Sequence, residues 1–175
     1  EVFNAEAYRA LAQHPKVVAI GECGLDYSRT HAPDALARQN DIFKKQIDLA
    51  VETGKPLMLH CRDAHGEMGA YEDVLDMLNS KFQIQNSKLR GNVHFFAGDT
   101  LTAQKFFGLG FTISFTGVIT FATQYDEVIK NAPLERLLSE TDCPFVAPVP
   151  YRGERNEPVY VKEVAKRIAA IRDED

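Results

Sequence analysis

Four residues with metal-ligating side chains fall at near-regular intervals along the 175-residue chain: Glu22, His60, His94 and Asp142, separated by 38, 34 and 48 residues. Each closes a short strand-like run: Val18-Ala19-Ile20-Gly21-Glu22, Leu57-Met58-Leu59-His60, Val93-His94 and Ser139-Glu140-Thr141-Asp142. One further run, Ser114-Phe115-Thr116-Gly117, ends without such a group. Imidazole nitrogens and carboxylate oxygens are ligands for Zn²⁺, Mn²⁺ or Mg²⁺. A carboxylate can bridge two such ions, and a pair of ions about 3.5–4 Å apart can activate water and hold a phosphodiester. The bland alternative is a set of unrelated polar residues. Suitable ligands at so many strand ends weigh against it.

The elements that must position these groups alternate. A helical pattern over Asn4–Gln13 precedes a strand at Val17–Ile20 and a loop from Gly21 to Pro33. Pro33-Asp34 opens a helix with Asp34 as its N-cap. Its apolar stripe passes through Leu36, Phe43, Ile47 and Ala50 and stops at Gly54 and Pro56. Strands follow at Leu57–His60, Asn92–Phe96, Phe111–Phe115 and within Leu134–Thr141. Helices are expected at Tyr71–Leu78, Thr100–Phe107, Tyr125–Lys130 and Glu157–Arg172. This order means βαβ units and a parallel sheet, with the active site at the carboxyl ends of the strands. The ligand spacing fits the roughly 31 residues per unit of an eight-fold (β/α) barrel, if the last interval spans two short units.

Composition narrows the function classes. Hydrophobic residues make up 45% of the chain, enough for a core and too many for a disordered protein. A net charge of −5 excludes gripping a nucleic-acid backbone by bulk charge, so bound cations or a local patch must do that work. No apolar run approaches the about 20 residues that span a bilayer. Cys23, Cys61 and Cys143 read as free thiols of a reducing, cytoplasmic setting. Neighbours on a strand face opposite ways, so cysteines that directly follow the proposed ligands are expected to be buried and inert. His14 reads as a surface cap and His31 as a loop residue; His65 either lines a site mouth or is solvated. Arg62, just past His60, could pair with a phosphate oxygen or with a structural carboxylate. Arg152 and Arg155, in the polar loop after Asp142, could bind an anionic substrate.

Several stretches taken together resemble the TatD-related family of metal-dependent deoxyribonucleases, within the amidohydrolase-like TIM barrels. They are Ala19-Ile20-Gly21-Glu22-Cys23-Gly24-Leu25-Asp26-Tyr27, Gln39–Gln46, Pro56–Arg62, Val93-His94-Phe95-Phe96-Ala97-Gly98, Ser139-Glu140-Thr141-Asp142-Cys143-Pro144 and Pro150–Pro158. The resemblance implies an α/β chain of TIM-type (β/α) barrel class and hydrolysis of DNA phosphodiesters, commonly from a 3′ end. It implies two divalent ions (Mg, Mn or Zn) in the complete site. Glu22 would bridge them, His60 and His94 would be ligands, and Asp142 would be both ligand and handler of the water's proton. Glu22 and Asp142 are thus the catalytic pair.

The family's opening His-x-His is missing from the chain. On the family's barrel the strands here would be the fourth to the eighth. Residues 1–175 are therefore expected to be a single barrel domain lacking the first three strands and the C-terminal tail. The chain starts at Glu1, inside a helical pattern, as a piece of a longer protein would. At most one ion is then expected, with open sheet edges that invite self-association. Two other readings stay open: a related site hydrolysing an amide, lactone or aminoacyl ester, and an inactive truncated barrel serving as an interaction piece.

Overall fold

The computed structural model describes residues 3–29, 32–64, 68–85 and 89–174. Among them the elements run α1 (Ala5–Ala12), β1 (Ile20–Asp26), α2 (Pro33–Thr53), β2 (Leu57–Arg62), α3 (Gly69–Gln85), β3 (Gly91–His94) and α4 (Thr100–Gly108). They continue with β4 (Thr112–Phe115), α5 (Asp126–Asn131), β5 (Leu137–Ser139) and α6 (Val161–Arg172). The five strands form one sheet in the order β1-β2-β3-β4-β5, with β1 parallel to β2 and β4 parallel to β5. The expected α/β class and its sequential parallel sheet are observed. The chain divides into two compact units, Glu1–Val93 with Gly108–Phe111, and His94–Phe107 with Thr112–Asp175.

In the first unit α2 packs on β1 through Phe43 and Ile47, both fully buried with Leu25 and Leu59. Pro33 begins α2 and Ala32 is its N-cap; the expected N-cap, Asp34, lies in the first turn instead. The reason is that proline suits the first helical position, where its missing N–H costs nothing. Gly54 closes the helix in the left-handed conformation. The larger difference is in β1, which runs on through the stretch expected to be loop. Its glycines serve close approach. A Cβ on Gly24 would lie 2.0 Å from the His60 carbonyl oxygen, and the residue sits at φ +139°. The β1–β2 register slips between Ile20 and Cys23. Glu22 therefore lies within the strand, at the slip, and not at its end.

In the second unit Phe96 and Phe115 meet edge to face, with ring centroids 6.2 Å apart. Phe106, Ile113, Ile129 and Val164 complete the buried core. Two arginines tie α6 down. Arg167 donates to Asp126 at 2.7 Å and to the Ile119 carbonyl at 3.2 Å. Arg172 donates to the carbonyls of Ile129 and Ala132. The final helix starts at Val161 after a 3-10 turn at Pro158–Tyr160, later than the expected Glu157.

Cys23 and Cys61 are buried as expected, whereas Cys143 is exposed. Burial, then the Glu22 carboxylate, pushes the Cys23 thiol up to about 12. Burial, then Asp63 and Cys23, raises Cys61. At pH 8 a thiol reagent should therefore modify Cys143 alone in the native protein and all three cysteines in denaturant. Mass spectrometry of the labelled peptides reads the result.

Candidate metal centre

In the first unit β2 alternates. Leu57, Leu59 and Cys61 are buried, and Met58, His60 and Arg62 take the opposite face. That alternation puts the His60 ring between two carboxylates. Its Nδ1 lies 2.7 Å from Glu22 Oε1 and its Nε2 lies 3.4 Å from Asp26 Oδ2. A neutral imidazole has one N–H and one lone pair, so its own proton serves only one of them. A second proton, or a cation shared with the other carboxylate, satisfies both.

Asp26 is the better anchored of the two acids. Its backbone N–H donates to Gln39 Oε1 at 2.8 Å, and its carbonyl accepts from Gln39 Nε2 at 3.0 Å. Its Oδ1 accepts from the N–H and the Oγ of Ser28. Burial pushes the Asp26 carboxyl up, but the Ser28 bonds and the His60 imidazole outweigh it and hold the group below its ordinary value. Glu22 is exposed.

The second unit repeats the pattern. Glu140 follows β5, and its Oε2 lies 2.5 Å from His94 Nδ1. Its Oε1 accepts from the Phe95 N–H at 2.7 Å and from Ser114 Oγ. Burial raises the Glu140 carboxyl, and the bonds from His94, Ser114 and Phe95 overcome that and lower it. A carboxylate fixed at Nδ1 holds the ring proton there and places the lone pair on Nε2. That nitrogen is 3.9 Å from Asp142 Oδ1, inside the roughly 4.2 Å that two metal bonds of about 2.1 Å can span. The donor sets of both units, imidazole and carboxylate, suit a divalent cation.

The residues expected from sequence are placed as follows. Glu22 and His60 are together in the first unit, and His94 and Asp142 in the second. Asp142 lies three residues beyond β5, at φ +53°. Arg62 ends β2 with an exposed side chain. Arg152 and Arg155 are exposed, and the Arg152 guanidinium lies 4.0 Å from the centroid of the Phe121 ring. His14 accepts from the Lys16 N–H just past α1. His31 and His65 lie outside the described residues. Sequence reasoning passed over Asp26 and Glu140 as site residues. Both stand inside the motifs quoted above, and the available signal was a second carboxylate within four residues of each acidic ligand.

The chain is similar to known proteins. A family model described as TatD related DNase matches residues 2–175. An uncharacterized metal-dependent hydrolase of Bacillus subtilis, YabD, is 42% identical over 94% of the chain and 61% of its own length. The 3′-5′ ssDNA/RNA exonuclease TatD of Klebsiella pneumoniae is 36% identical over 98% of the chain and 64% of its own length. The crystal structure of YJJV, a TatD homolog from Escherichia coli, superimposes with a TM-score of 0.83 at 28% identity, covering 98% of this chain and 63% of that one. The chain spans about three-fifths of the length of the curated relatives it matches.

Replacing Glu140 with alanine leaves three donors without their acceptor. It should cost about 1–3 kcal/mol of stability in urea unfolding, against about 0.5 kcal/mol or less for the exposed Glu135→Ala.

Proposed function

Because the chain belongs to the TatD-related DNase family, we propose that it is the ligand-bearing part of a divalent-metal-dependent phosphodiesterase that acts on DNA from a 3′ end. One observation carries the reading. Each unit holds a histidine of the sheet between two carboxylates, one of them anchored by several further hydrogen bonds. The description of the matching family and the name of the Klebsiella relative point to nucleic acid as the substrate. Among the described residues no helix is long and apolar enough to cross a membrane.

In this reading Glu22 and His60 of the first unit and His94 and Asp142 of the second would be metal ligands. A bound divalent cation would supply Lewis acidity and lower the pKa of water at the site. Asp142 takes the proton from the attacking water, because its carboxylate is on the side of His94. Asp26 and Glu140 keep the two rings in the tautomer that turns a lone pair toward the ligand side. Arg62, Arg152 and Arg155 bind phosphate oxygens. The two ions of the complete family site are part of the same proposal for the longer relatives. So are a cytoplasmic setting and self-association through the sheet edges.

The test incubates the chain with Mn²⁺ or Mg²⁺ and 3′-labelled single-stranded DNA. Nucleotide release should appear, stop with a chelator, and fall about 100-fold or more in His94→Ala. Arg152→Ala should lower DNA turnover about 10-fold without changing metal binding. Release that survives His94→Ala would overturn the site. Metal binding without release would overturn the substrate.

A further inference from the structure

The turn that carries Asp142 is gripped by one buried side chain. We propose that Asn156 is a positioning residue for the metal centre, holding Asp142 in the conformation that turns its carboxylate toward His94. The inference rests on the reading of Asp142 as a ligand.

Asn156 is 2% exposed. Its Nδ2 donates to the Thr141 carbonyl at 2.7 Å and to the Phe145 carbonyl at 2.6 Å. Its backbone N–H donates to the Pro144 carbonyl at 3.1 Å. The two side-chain bonds bracket Asp142, one on the residue before it and one three residues after it. Within the bracket the Phe145 N–H donates to the Asp142 carbonyl at 3.0 Å, which closes a tight turn.

Asp142 sits at φ +53°, in the left-handed region that a residue with a Cβ enters only when its surroundings impose it. In that conformation its Oδ1 lies 3.9 Å from His94 Nε2. The Asn156 amide must present its nitrogen, because both partners are carbonyl acceptors. Its Oδ1 is consequently buried without a hydrogen-bond partner among the described residues. A residue serving only to fill the core would be apolar or fully bonded. An amide that leaves one end unbonded to hold two carbonyls is doing a geometric task.

The rest of the loop has its own anchors. The Val149 N–H donates to Thr120 Oγ1 at 2.9 Å, and the Tyr151 N–H donates to the Pro148 carbonyl at 2.7 Å. Losing the Asn156 side chain therefore releases residues 141–146 and leaves the loop beyond them in place.

The experiment uses Asn156→Ala and Asn156→Asp; the second keeps the shape but sets an oxygen against both carbonyls. Mn²⁺ binding is read by electron paramagnetic resonance of the free ion, and backbone order by amide hydrogen exchange. Both variants should bind Mn²⁺ about 10- to 100-fold more weakly. Exchange should quicken over residues 141–146, with β4 and α6 protected as in the parent. Asn131→Ala, which removes an exposed side-chain bond to the Glu127 carbonyl, should change neither readout. Unchanged Mn²⁺ affinity beside faster local exchange would overturn the proposal, leaving Asn156 with a purely structural role. Loss of protection throughout the second unit in both variants would do the same. If the parent chain binds no Mn²⁺, the ligand reading of Asp142 fails and the proposal with it, while the exchange data still report whether Asn156 holds the turn.

Discussion

A neutral imidazole placed between two carboxylates has one proton to offer and two acceptors asking for it. Much of this structure follows from that constraint. In the first unit the ring is His60, with Asp26 and Glu22 on its two nitrogens; in the second it is His94, with Glu140 and Asp142. In each case one acid is held by further donors. Asp26 is tied by Ser28 and, through its backbone, by Gln39; Glu140 is tied by Ser114 and the Phe95 N–H. For Asp26 the Ser28 bonds and His60, and for Glu140 the bonds from His94, Ser114 and Phe95, lower the carboxyl below its ordinary value despite burial, which favours the anion.

The backbone around these groups is shaped to permit this. Gly24 lets β1 run so close to β2 that no side chain fits against the His60 carbonyl. The slip in register before it sets Glu22 and Asp26 on either side of the His60 ring. Phe95 and Asp142 sit at positive φ beside His94 and beyond β5. Strained positions of this kind persist where the surroundings over-determine them, and here they flank the proposed ligands.

The strand–helix alternation was legible because βαβ units repeat a simple apolar pattern, and the four candidate ligands were legible as imidazole and carboxylate groups spaced at about one per unit. The boundaries of β1 were not. The stretch from Gly21 on read as loop, since a sequence shows a glycine's freedom but not the neighbour that requires it. Asp34 read as an N-cap because nothing local says that Pro33 takes the first helical position. Asp26 and Glu140 were visible as residues within recognisable motifs, but an orienting carboxylate has no spacing rule of its own. Its role depends on which ring nitrogen it meets, and that is set by register between strands 34 to 46 residues apart in sequence. Asn156 is still less legible, because its task is defined by two carbonyls on another segment.

Charge also bears on the proposed reaction. Each unit sets two carboxylates around one imidazole, so each half of the proposed centre is negative unless a cation is present. A phosphodiester would be repelled by either half alone. With a divalent ion bound, the sign of the local potential reverses where the substrate must sit, although the chain as a whole keeps its net charge of −5. The exposed arginines add positive charge further out, and Arg152 is steadied against the Phe121 ring.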